Sequence, residues 1–152
     1  MRATGLLIWA VGAVGCAEPA PPAAAGPALA GTSWTAVAVD GRSLDPDRGR
    51  TAPAALTLRF GDRPVGEAAP PGALVVSGNR DCNGLGGLYV ATPDSLRFHD
   101  VWTHLQLCRP AGAGRPDTLL HALVVTATWA VRADTLRLAD GAGRVRLVLA
   151  PS

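Results

Sequence analysis

The chain has 152 residues, room for one domain plus an export segment. Hydrophobic residues make up 48%, enough for a core, while charged residues are only 17% and the net charge is +2, which excludes the dense basic patch of a nucleic-acid binder. Every basic residue is Arg and the arginines are dispersed; with the abundant Ala, Gly and Pro this reads as a GC-rich coding bias.

Arg2 gives a minimal positive n-region, and Leu6 to Val14 is an apolar run too short to span a bilayer but suited to a signal peptide. It ends at Ala13-Val14-Gly15-Cys16, which resembles a bacterial lipobox, with Ala13 where that pattern prefers Leu. On this reading residues 1–15 are a lipoprotein signal peptide, and the mature protein starts at acylated Cys16, which holds it on a membrane surface. The alternative is an ordinary secretory signal cleaved after Gly15 or Ala17. Residues 16–29 form a Pro/Ala-rich tether, extended and unable to pack a core. Ala17 after Cys16, by resemblance to Gram-negative lipoproteins, implies the outer membrane, with the domain facing the periplasm.

Residues 30–150 read as a single domain, expected to be monomeric. Ser33 to Val39 alternates as a strand around Trp34, and Asp40-Gly41 is a turn. Leu44 to Pro53 reads as loop and Ala55 to Phe60 as a strand, with Leu56, Leu58 and Phe60 on one face. Gly61 to Gly72 reads as a loop insertion and Ala73 to Ser77 as a strand. Asp81-Cys82-Asn83-Gly84-Leu85-Gly86-Gly87 reads as a glycine-rich loop, its glycines suited to positive φ and close backbone approach. A strand follows from Gly87 to Ala91, then a turn at Thr92-Pro93-Asp94 and a strand from Ser95 to His99. Val101 to Cys108 has period two, with Val101 and Thr103 on one face, Trp102 and His104 on the other. Pro116 to Val125 predicts the helix, with Leu119, Leu120, Leu123 and Val124 on one face. Three strands finish the domain, Ala127 to Arg132, Asp134 to Leu138 and Arg144 to Leu149, the last two joined by Asp140-Gly141-Ala142-Gly143. Many short strands and one helix predict a mainly β fold, a small antiparallel β-barrel-like domain with one α-helix.

From Leu29 to Leu149 the chain resembles the META domain, or HslJ-like, family. Leu29-Ala30-Gly31-Thr32-Ser33-Trp34 is similar to its opening motif. Cys82 and Asn83 with Gly87 and Tyr89 match its Cys-Asn signature, and Thr103 with Cys108 resembles its Thr-Cys segment. Asp81 stands where the family usually has Gly, the segment 104–107 lacks the usual Met, and the helix lacks the usual Glu. The resemblance implies a compact barrel-like domain of envelope lipoproteins and stress-associated proteins, with no known catalytic activity and no cofactor. It also places Cys82 and Cys108 in segments that pair. Once Cys16 is used for lipidation these two are the remaining cysteines, and export to an oxidising space makes a disulfide the expected state. The alternative is a pair of buried thiols.

Other chemistry is weaker. Cys82 as a nucleophile would need His99 or His104 as base and Asn83 or Asp100 to orient it. Strand parity puts His99 beside Arg97, on the face opposite Leu96 and Phe98, and sets it apart from His104. Cys82, Cys108, His99 and His104 include zinc-type ligands without supporting spacing. His121 lies at the flank of the helix core. Trp34, Trp102, Trp129 and Tyr89 are expected to fill the barrel, the alternative being a ligand cavity at its mouth. The function expected is therefore a non-enzymatic envelope module that binds or stabilises, possessing no cofactor and no metal. The alternatives are a carrier of small apolar ligands inside the barrel and a cysteine hydrolase at Cys82.

Overall fold

The computed structural model describes residues 29–44, 56–80, 83–104 and 116–152. Cys16, Cys82 and Cys108 lie outside them, as do the expected signal peptide and nearly all of the tether. The elements are β1 (Ser33–Val39), β2 (Arg42–Ser43), β3 (Leu56–Pro64), β4 (Leu74–Arg80), β5 (Asn83–Ala91), β6 (Leu96–Thr103), α1 (Pro116–Val124), β7 (Thr126–Arg132), β8 (Thr135–Asp140) and β9 (Val145–Pro151). The strands form one antiparallel sheet in the order β6-β5-β4-β3-β1-β9-β8-β7, with β2 paired to β1.

The fold is mainly β, a sheet curled into a half-barrel around one side of its strands, with α1 as the helix among the described residues. Period-two alternation drives the curl. Leu56, Leu58 and Phe60 of β3, Leu136 and Leu138 of β8, and Leu147 and Leu149 of β9 are all buried on the inner face. On β4 a Cβ at Gly78 would overlap the backbone of Thr57, so the close approach of β3 and β4 there needs a residue without a side chain. The end strands β6 and β7 approach each other, but no ladder joins them among the described residues. Two side chains bridge the seam instead: Arg97 Nη1 donates to the Thr126 carbonyl at 3.1 Å and Trp129 Nε1 to the Thr92 carbonyl at 2.8 Å. Helix α1 packs on β6, β9 and β1 and brings Leu119, Ala122 and Leu123 to the core.

At one end of the half-barrel, the β8–β9 turn is built on Asp140. Its carboxylate accepts from the backbone N–H groups of Ala142 (2.9 Å) and Arg144 (3.0 Å) and from Arg144 Nε (3.0 Å). Withdrawal from water pushes this carboxyl up, but those hydrogen bonds and the Arg144 charge outweigh it and hold the group below its ordinary value. Arg146 Nε lies 3.0 Å from Asp40 Oδ1, tying this turn to the one after β1.

Several sequence expectations need correction. β3 does not stop at Phe60; it continues to Pro64, which pairs with Leu74, so the expected loop insertion begins later. Asn83 to Gly87 is strand, not loop, and none of Gly84, Gly86 and Gly87 has positive φ. Ser95 to His99 and the start of the following segment form one strand with a bulge, where Asp100 takes φ 49° and the pairing to β5 shifts. Val124 is 63% exposed, and Ala122 takes the core place expected for it. Val145 alternates in phase with the buried Leu147 and Leu149 yet is exposed, because the β8–β9 register shifts beside it.

Candidate functional site

The motif residues on the inner side are structural. Thr32 Oγ1 donates to the Leu29 carbonyl at 2.5 Å and accepts from Trp34 Nε1 at 2.7 Å. Gly31, at φ 80°, donates its N–H to Phe60 O, and Phe60 N–H donates to Thr32 O. The opening motif thus folds back on itself, satisfies the indole N–H, and buries Trp34 against β3. Tyr89 is buried, its ring edge-on to Phe60 at 5.0 Å and its hydroxyl donating to Gly61 O at 2.7 Å. Burial, then the negative charge of Asp62, pushes the Tyr89 phenol above its ordinary value. Phe98 packs 6.1 Å from Phe60. These rings pack together on the inner face of the sheet.

The outer side of the same strands differs. The register sets Ser77, Gly86 and Trp102 side by side across β4, β5 and β6. Trp102 is therefore outside the barrel, 52% exposed, which corrects the expectation that it fills the core. Its indole lies on Gly86, where a Cβ would overlap it, and its centroid is 5.0 Å from the His104 ring, which sits over Gly84. Gly87 has another place: a Cβ there would stand 3.1 Å from Val101 Cα and 3.2 Å from His99 O, so the bulge packs tightly against this glycine and would have to give by a few tenths of an ångström to take a side chain. The bulge also reverses the expected parity, because His99 pairs with outward Leu88 and both histidines reach the outer side. Thr103 pairs with Leu85 and is half-buried; Asn83 pairs with Arg80 at the start of β5 and is half-buried and engaged.

Together Val75, Ser77, Gly86, Leu88, Asp100 and Trp102 border a shallow depression of about 370 Å³ on this outer side. Val75 is itself 43% exposed. Among the described residues, no group of three or more His, Cys, Asp or Glu could hold a metal ion. The set a sequence reading overlooks is Asp100 with Trp102 over bare glycines; alternation of Trp102 against Val101 and Thr103 is the signal that could have found it.

A curled antiparallel sheet with one helix and a self-capped Trp in its first strand defines a class of small half-barrel domains. The chain belongs to the META domain family, whose family model matches residues 27–152. It is similar in fold to the NMR structure of the protein from Burkholderia xenovorans, with a TM-score of 0.55 and 22% identity, over 90% of this chain and 98% of that one. No curated protein matches the chain.

Proposed function

We propose that this META-domain chain is a non-enzymatic binding module of the cell envelope, exported and anchored through acylated Cys16. Residues 1–15 act as the signal peptide, 16–29 as the tether and 30–150 as the domain, monomeric and facing the periplasm from the outer membrane. The observation that carries the binding reading is Trp102, half-exposed on a glycine floor outside a core that is already filled. The packed inner rings speak against a carrier that uses the barrel interior.

The binding test is site-specific cross-linking in intact envelopes. A photo-reactive residue replacing Leu88 should give a discrete adduct that Trp102→Ala abolishes, whereas one replacing the exposed Arg137 should give none. Equal labelling from both positions would reject this surface. Anchoring and the Cys82–Cys108 disulfide are read together from the intact mass of protein extracted from the envelope. The expected mass includes acyl chains on Cys16 and lies about two hydrogens below that of the reduced form. A mass with no lipid refutes the anchor, and two free thiols refute the disulfide. The location of Gly84 supports the pairing: its carbonyl accepts from His104 N–H at 3.0 Å, so the segments leading to the two cysteines run together.

A further inference from the structure

The depression on the outer side carries one aromatic face and one charge. Trp102 offers a half-exposed indole. Asp100 is the one ionisable side chain lining the depression, exposed on the bulge that projects it from β6. The rest of the lining comes from aliphatic residues, glycines and Ser77. The face of an indole is electron-rich and attracts cations, and a carboxylate attracts the same sign of charge. Both features therefore select a positive group, and the aliphatic lining selects one clothed in carbon.

Resting on the reading of this face as a binding surface, we infer that the depression takes a small organic cation, an alkylammonium group seated on Trp102 with its charge offset by Asp100. The neighbouring basic groups do not line it: Arg59 lies one strand beyond Ser77, His99 precedes the bulge, and His104 packs beside the indole. A bare metal ion would gain nothing from the aliphatic lining and finds no cluster of three ligands among the described residues.

The test uses the full chain in a polyoxyethylene detergent and follows the indole N–H resonance of Trp102, assigned by its loss in Trp102→Phe. Three probes are titrated: choline, its uncharged isostere 3,3-dimethylbutan-1-ol, and methyl glucoside. Choline should shift the signal saturably, and the isostere should bind about tenfold or more weakly, having lost both attractions. Asp100→Asn, which keeps the left-handed backbone accessible, should weaken choline about two- to fivefold. Trp102→Ala should weaken it about two- to thirtyfold, read from neighbouring backbone amides. Phosphatidylcholine added to the micelles distinguishes the source: a shift of the same signal names a lipid headgroup, and a response to choline alone names a soluble cation. Equal binding of the isostere, or binding of the glucoside alone, overturns the cation assignment and leaves the binding surface standing. No response to choline at tens of millimolar, or a response unchanged in both variants, overturns it as well.

Discussion

Trp34 and Trp102 stand on opposite faces of one sheet and illustrate two uses of the same side chain. Trp34 lies inside, 7% exposed, with its N–H satisfied by Thr32. Trp102 lies outside, 52% exposed, on a floor that glycine keeps bare. The first is fixed by its own neighbours in the chain. The second depends on β5, a different strand, for the room it occupies. Thus in this chain the opening segment from Gly31 to Trp34 serves stability, whereas the glycines of β5 shape both the bulge and the surface above it.

The largest effect is expected at Trp34. Trp34→Ala should cost about 3–5 kcal/mol in denaturant unfolding, because it opens a cavity against β3 and orphans the Thr32 contact. A loss under about 1 kcal/mol would mean that the inner indole contributes little to the fold. Gly87→Ala comes next. A methyl group there presses on the backbone of the bulge rather than on a flexible side chain, so a loss of about 1–3 kcal/mol is expected, together with displaced amide resonances at Asp100 and Val101. A neutral effect would show that the bulge is not pinned by this glycine.

The turn at Asp140 is expected to give a smaller effect, visible through pH. Its carboxyl is held below the ordinary value, so its contribution is present above the unfolded-state pKa and is lost as pH falls through the folded-state value. Asp140→Asn should therefore flatten the acid limb of the melting temperature plotted against pH. An unchanged acid limb would assign that limb to other carboxylates. Tyr89 acts at the opposite end: its raised value means that its contribution is full below the unfolded phenol pKa and is lost as pH rises through the folded one.

Much of the fold is legible in the sequence because it is local. The opening strand, the Thr92 turn, the helix and the last three strands follow from alternation, turn residues and helical spacing, and they appear within a residue or two of their expected bounds. The stretch Asn83 to Gly87 is misleading because glycine ordinarily weakens strands. Its reason is non-local: Trp102, His104 and the bulge fill the space above these glycines from the adjacent strand. Likewise Gly61 and Pro64 suggest a break after Phe60, but the pairing of Pro64 with Leu74 extends the strand. Trp102 is the instructive error. Its size suggests core, yet alternation with Val101 and Thr103 already places it on the other face. Parity is the better guide beyond the bulge, while counting through Asp100 misplaces His99 relative to His104.

An outer indole that serves the proposed binding leaves stability nearly untouched when it is removed. Trp102→Ala tests it in the same unfolding measurement as Trp34→Ala. The cross-strand contact with Gly86 is of the kind worth about 0.2–1 kcal/mol, so a loss below about 1 kcal/mol with an unchanged denaturant slope is predicted. A loss of about 3 kcal/mol or more, equal to that of a buried tryptophan, would make Trp102 a structural residue and contradict the account.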